Sequence, residues 1–207
     1  MRGFILHLKR VKEEDLIVTI LSESKIKSYY RFYGVRHSIL QLGNLIDFEE
    51  VESNGVFLDR VQGVSQIPFD WLHDRFRLSI WHNLIKIFYA HLKDSSLLDR
   101  FYFELLLKMA KRWDRQNPKR LFCEAFYEVL RFEGRLYLEN RCHICNKEIT
   151  STNISISKEF LVAHLECLSS FKLPNKKLRG FLESGKTINL EDSEVEILYN
   201  IANLGFN

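Results

Sequence analysis

The sequence predicts an α+β protein in which a β-rich segment precedes a helical one, and three observations carry that reading. Up to Ile67, β-branched and aromatic residues come in short runs separated by Gly34, Gly43 and Asn54-Gly55, the punctuation of strands and turns. After Pro68 the apolar residues shift to spacings of three and four, the period of a helix with one buried face. Further on, Cys142, Cys145, His164 and Cys167 fall in two closely spaced pairs, which points to a metal-stabilised module.

The β-rich part reads as five strands: Phe4 to Lys9, Leu16 to Leu21, Ile26 to Tyr33, Leu45 to Val51 and Val56 to Val64. Leu16 to Leu21 alternates only weakly, as a central strand buried on both sides does. Five short strands in about seventy residues suggest a small closed sheet, with the five-stranded OB-fold barrel as the candidate. In the first helix, expected from Trp71 to His91, Leu78, Trp81, Leu84, Ile85, Phe88 and Leu92 recur on one face. A second helix is expected from Ser96 to Trp113. It turns Phe101, Leu105, Met109 and Trp113 inward, and Lys108, Lys111, Arg112 and Arg115 outward at i, i+3, i+4 and i+7. Asn117-Pro118 opens a third, which continues from Leu121 to Phe132 and ends near Gly134. The domains are therefore expected at 1–70, an OB-fold for nucleic acid, and 71–207, a helical domain with an embedded zinc-binding module at 139–170.

At 207 residues with 46% apolar and 13% aromatic content, the chain can bury a sizeable core. The start of the chain lacks the long apolar region of a signal peptide, and no window reaches the roughly 18 apolar residues of a membrane span. Four cysteines are too few for a disulfide scaffold, so a reducing cytoplasm is expected. The Asn153-Ile154-Ser155 sequon then carries no weight. The net charge of +3 is unevenly spread. Met1 to Ile46 holds eight bases against four acids, and Trp71 to Arg141 fourteen against nine, whereas Asp47 to Asp59 holds five acids and no base. A polyanion is expected on the first two segments.

Cys142-His143-Ile144-Cys145 and His164-Leu165-Glu166-Cys167 are two knuckles with eighteen residues between Cys145 and His164. Each short turn can present two soft ligands. Three thiolates and one imidazole fill a tetrahedron and leave no place for water, so one structural zinc is expected on Cys142, Cys145, His164 and Cys167. His143 sits awkwardly between two thiols and is expected outside the first sphere. Cys123, beside Phe122 and Phe126 with no spaced partner, reads as a core thiol.

From Lys25 to His37 cations interleave with aromatics, the mixture that binds single strands by meeting phosphates and stacking on bases. Strand alternation assigns Lys25, Lys27, Tyr29, Arg31 and Tyr33 to one face, with Arg36 and His37 in the following loop. Ile26, Ser28, Tyr30 and Phe32 fall on the other. These cations and aromatics, with the stripe Lys108, Lys111, Arg112 and Arg115, are the expected DNA contacts. The tail adds a basic stretch, Lys176, Lys177 and Arg179, and an amphipathic run from Val195 to Leu204.

Met-x-Gly-Phe at the start, the acidic-then-apolar run Glu14-Asp15-Leu16-Ile17-Val18, and the segment Phe132 to Cys145, which passes Gly134 before Arg141-Cys142-His143-Ile144-Cys145, together resemble the RecO family of bacterial DNA repair and recombination proteins. The sequence departs from that family at Asn146, where Gly is usual, and at His164, where Cys is common. Its basic segment reads Arg31-Phe32-Tyr33-Gly34-Val35-Arg36-His37. It therefore reads as a divergent, compact member. The resemblance implies a recombination mediator in the bacterial cytoplasm, associated with the nucleoid and not with a membrane. Such a protein binds single- and double-stranded DNA, anneals strands coated with single-strand binding protein, and with RecR helps load RecA.

No phosphate loop or nucleophile with a base is present, so an enzyme is not expected. Asp47, Glu49, Glu50 and Glu52 invite a magnesium nuclease reading, but alternation sends Glu50 and Glu52 to one face and Asp47 and Glu49 to the other. The alternative function is a zinc-stabilised OB-fold adaptor between proteins.

Overall fold

A computed structural model describes residues 1–55, 57–95 and 98–206. The expected starts of the fifth strand at Val56 and of the second helix at Ser96, and the last residue Asn207, lie outside the described residues. The chain forms two compact units, Met1–Asp114 and Arg115–Asn207.

In the first unit, β1 (Arg2–Arg10), β2 (Leu16–Leu21), β3 (Ile26–Arg31), β4 (Leu45–Val51) and β5 (Arg60–Ile67) close into a barrel of order β1-β2-β3-β5-β4. The β1–β2, β2–β3, β4–β5 and β1–β4 pairs are antiparallel, and β3 meets β5 in parallel where Tyr30 faces Arg60. As weak alternation predicts, β2 is buried at every position but Ile17. Gly3 is required by the close approach of the Ile20 side chain, with which a Cβ there would collide.

Two expected strands end differently. β3 stops at Arg31 because Tyr33 adopts a left-handed conformation (φ 52°) into the turn at 34–36. Residues 53–55 and 57–59 lie in a loop and not in a strand, where the Asp59 carboxylate accepts from Ser53 N–H at 2.7 Å and Ser53 Oγ donates to the Phe57 carbonyl.

The first helix, α1 (Arg75–Leu92), follows a 3₁₀ turn at Asp70–His73 and is capped by Asp74, whose side chain accepts from Phe76 and Arg77 N–H. The second, α2 (Phe101–Ala110), ends before Trp113. Both belong to the barrel's unit. Phe4 of β1 packs on Trp81 of α1 (5.9 Å between centroids) and Phe103 of α2 (5.8 Å), and Trp81 contacts both Trp71 and Trp113. Secondary structure changes near residue 70, where the domain boundary was expected, but packing divides at Asp114 because these aromatics bind the two helices to β1.

The second unit begins with α3 (Pro118–Phe132), capped by the Asn117 side chain and followed by Gly134 in the left-handed region. Strands β6 (Asn153–Ile156), β7 (Val162–Ala163) and β8 (Phe171–Pro174) make a small sheet of order β7-β6-β8. Then come α4 (Asn175–Ser184) and α5 (Asp192–Ala202), the latter opened by a capping box of Glu191 and Glu194. The amphipathic run near the end packs internally, with Leu198, Ile201 and Ala202 buried. Cys123 is buried in α3, where burial pushes its thiol pKa up and its Sγ lies 3.9 Å from the Val195 carbonyl. No helix among the described residues is long and apolar enough to cross a membrane.

Candidate metal centre and nucleic-acid face

The two knuckles converge. One ligand atom each from Cys142, Cys145, His164 and Cys167 lies within 4.8 Å of the other three, and among the described residues this is the one group of three or more metal-ligand side chains. The acids from Asp47 to Glu52 make no such group. A tetrahedron with metal–sulfur bonds of about 2.3 Å has edges on the order of 3.8 Å, so the cluster needs only a small contraction to hold an ion.

Local backbone explains the arrangement. Cys142 N–H donates to the Lys147 carbonyl (2.9 Å) and Asn146 N–H to the Cys142 carbonyl (2.8 Å), which wraps the first knuckle. That turn needs a left-handed residue, and Asn146 supplies it at φ 58°. Asn tolerates this region better than other residues with a Cβ, so it can stand where the family has Gly. In the second knuckle, Cys167 and Leu168 N–H both donate to the His164 carbonyl at 3.1 Å. The imidazole is held by Nε2, 3.1 Å from the Glu148 carbonyl, which leaves Nδ1 facing Cys145 Sγ at 3.3 Å. A ring whose far nitrogen is fixed by a carbonyl presents the near one as a ligand. His143 stays outside the group, with its Nδ1 2.9 Å from the Val162 carbonyl.

Protonation within the cluster is unbalanced. Burial opposes ionisation of Cys142, yet backbone N–H groups of Cys145, His164 and Ile144 hold its thiol down at about 6. Cys167 is pushed up to about 11, first by its hydrogen bond with Cys145 and then by burial. Negative charge gathered on adjacent sulfurs is unfavourable without a cation, and a divalent metal supplies one.

On the barrel, the phase of β3 is opposite to the expected one in its effect. Tyr29 is 1% exposed, packs edge-on against Phe48 at 5.6 Å, and so offers no face to a base. Its hydroxyl donates to Glu50 at 3.1 Å, and Lys25 and Lys27 pair with the same carboxylate, Lys27 also with Asp59. Asp59 is held down at about 2 by Lys27 and the Ser53 N–H, and Lys27 is raised by the two acids. Thus Lys25, Lys27 and Tyr29 share a side as expected, but it leads into the barrel's end.

The remaining candidates line the turn after β3. Arg31 donates to the Val61 carbonyl and lies 3.1 Å from His37 Nε2. Tyr33 is exposed beneath the Arg36 guanidinium (5.4 Å), and Arg36 pairs with Glu14. Lys108 and Lys111 are exposed, but α2 ends at Ala110, so Lys111, Arg112 and Arg115 follow in turns and do not continue one helical face. Arg115 already belongs to the second unit.

The open aromatic face is the one sequence alternation turned inward. Tyr30 and Phe32 meet edge to face at 4.9 Å, Phe32 is 50% exposed, and Phe57 in the β4–β5 loop is 79% exposed. With Lys12, Leu58 and Arg60 they line a groove of about 880 Å³. Tyr30 is oriented by its hydroxyl, which donates to Asp15 at 2.6 Å, and the other Asp15 oxygen accepts from Tyr33 N–H at 2.9 Å. Those two bonds, Tyr30 first, lower the Asp15 pKa. The signal for this face was present as Phe57 beside Asn54-Gly55, and as Arg60, the first base after the acidic run.

Residues 1–72 match the family model described as RecO N terminal. That stretch of the chain is similar to the N-terminal part of RecO proteins. The match covers the barrel and the turn after it. A search of the curated proteins gives no match. The groove lies between the β1–β2 loop that carries Lys12 and the β4–β5 loop that carries Phe57, the two loops with which OB-folds receive oligonucleotides.

Proposed function

We propose that this protein is a DNA repair and recombination mediator that binds single- and double-stranded DNA, anneals complementary strands and, with RecR, helps load RecA. The observation that carries the reading is the barrel groove, where Phe32 and Phe57 stand exposed beside Lys12 and Arg60. Bases stack on the aromatics while the cations meet the flanking phosphates. Arg31, Tyr33, Arg36 and His37 extend this track, and Lys108, Lys111, Arg112 and Arg115 are further phosphate contacts. Single-strand binding protein and RecA are partners in the same reaction, which takes place in the cytoplasm at the nucleoid.

Annealing needs no bond to be made or broken. Cations that neutralise phosphates on two strands lower their mutual repulsion, and base pairing follows. Cys142, Cys145, His164 and Cys167 hold one zinc with all four positions filled by protein, which supplies folding energy to the second unit and no chemistry. The test is annealing of complementary oligonucleotides at low salt, without ATP, by zinc-loaded protein. A rate above the spontaneous one is expected, and an unchanged rate contradicts the proposal.

One observation favours a second reading. Leu58 stands exposed beside Phe57, and an apolar rim of this kind also suits a protein partner. DNA affinity with little or no salt dependence would favour the adaptor.

A further inference from the structure

The basic stretch Lys176, Lys177 and Arg179 has no part in the barrel groove, and its three cations meet three different fates. Lys177 is neutralised by Glu191 and Glu194. Lys176 is exposed, and Arg179 is partly buried; among the described residues neither has a carboxylate within ion-pair distance. The Arg179 guanidinium is held by neutral oxygens only: Nη1 donates to the Leu138 and Glu139 carbonyls at 3.2 and 2.7 Å, and Nη2 to Asn140 Oδ1 at 3.0 Å. Its Nε–H is buried and has no acceptor.

A cationic group taken partly out of water without a counter-charge is costly, and an unpaired buried donor adds to that cost. Both deficits point the same way. Arg179 and Lys176 line a cavity of about 490 Å³ with Ser151, Thr152, Asn140 and Asn175. One turn before Arg179, Asn175 Oδ1 is a buried acceptor that also lacks a partner. Both orphans are covered by protein as the structure stands, so a ligand reaches them only as the lining side chains part: an oxyanion's oxygen then accepts from Arg179 Nε–H, and a neighbouring hydroxyl donates to Asn175 Oδ1. The Asn175 N–H is already engaged by the Thr152 carbonyl at 2.9 Å, so the side chains and not the start of α4 provide the site.

We propose that this cavity in the second unit is a phosphate-binding site, built on Arg179 and Lys176 with the Thr152 hydroxyl, which takes the phosphate of a nucleotide or of a nucleic-acid strand. The volume exceeds that of a bare ion and leaves room for part of the attached sugar. Glu183, one turn after Arg179, also lines the cavity and acts on Arg179 through space, so it opposes the anion and limits affinity for highly charged ligands. The inference stands apart from the barrel reading, since no residue of the groove takes part in it.

The test uses the full, zinc-loaded chain and follows the Arg179 Nε–H resonance by NMR during titration with sodium phosphate, against sodium chloride at equal ionic strength. A saturable shift with phosphate alone is expected. Lys176→Ala, at an exposed site that leaves the fold intact, weakens it by about fivefold to tenfold. Glu183→Gln tightens it by about twofold, by removing a like charge. Two further arms separate the sources. A 5′-phosphorylated oligothymidine that moves the resonance where the unphosphorylated one does not assigns a terminal phosphate, and equal responses assign the strand backbone. The Phe57→Ala variant, deficient at the barrel groove, keeps the response, so failure of one site is distinguishable from failure of the other. A resonance that responds to phosphate no more than to chloride, or a response unchanged by Lys176→Ala, overturns the proposal.

Discussion

The cluster around Glu50 and the cluster around Cys142 both gather ionisable side chains, and they balance their charge in opposite ways. At the end of the barrel, Glu50 and Asp59 face Lys25 and Lys27, with the Tyr29 hydroxyl completing the network. Opposite charges there satisfy one another, so nothing has to be bound. Three thiols and an imidazole in the second unit have no such internal solution, and the sulfurs compete for protons. A self-neutral cluster is a structural joint, whereas an unbalanced one calls for a ligand of the missing sign. Arg179, a cation with no ion-paired carboxylate among the described residues, follows the second rule with the sign reversed.

The largest effect that tests this contrast is removal of a metal ligand. Cys142→Ser is expected to abolish zinc binding and to melt the module between the two knuckles, because the binding energy of a structural zinc, on the order of 10 kcal/mol or more, is also folding energy. Native mass spectrometry of the unmutated chain should show one zinc per molecule, and an apo mass alone would remove the basis of the comparison. A smaller effect is expected at the joint. Glu50→Ala takes the acceptor from the Lys25 ammonium and the Tyr29 hydroxyl and leaves Lys27 with Asp59 alone, at a cost of about 1 to 3 kcal/mol in chemical denaturation, with DNA binding little changed. If Glu50→Ala left stability untouched and instead abolished binding, Lys25 and Lys27 would be ligand contacts and not partners in a joint.

The smallest effect is in pH dependence. Asp59 has a folded pKa of about 2, below that of an unfolded carboxylate, owing to Lys27 and the Ser53 N–H. A depressed carboxylate stabilises the fold fully above its unfolded pKa, and that contribution fades as pH falls through the folded value. Asp59→Asn should therefore lower stability near neutrality, and its difference from the unmutated chain should shrink between about pH 4 and pH 2, which flattens the acid side of the profile.

How much of this was legible in the sequence depended on how locally each feature is determined. The convergence of Cys142, Cys145, His164 and Cys167 could be read residue by residue, because chelation needs ligand types at short spacings, and two tight knuckles fix their own geometry. The barrel strands were also legible, since Gly34, Gly43 and Asn54-Gly55 mark their breaks. The direction of β3 was not. Alternation separates its residues into two sets but does not say which faces inward, and Tyr29 with its hydroxyl on Glu50 fills the interior better than its polar character suggests. Nor was the place of α1 and α2 legible, because Phe4, Trp71, Trp81 and Trp113 meet only across long sequence separations. Asn146 is instructive in the other direction: a departure from the family pattern keeps the left-handed turn that the pattern encodes.

The groove on the barrel is the center of the functional account, and the most direct test is fluorescence anisotropy of a labelled single strand over a salt series, with protein of known zinc content. Phe57→Ala and Phe32→Ala each remove one exposed ring, whereas Tyr29→Phe alters only the buried face. Expected is a steep loss of affinity with salt, and a further loss of about 1 to 3 kcal/mol for each of the first two variants but not for Tyr29→Phe. Affinity indifferent to salt, or unaffected by removal of both Phe32 and Phe57, would contradict the assignment of this groove to DNA.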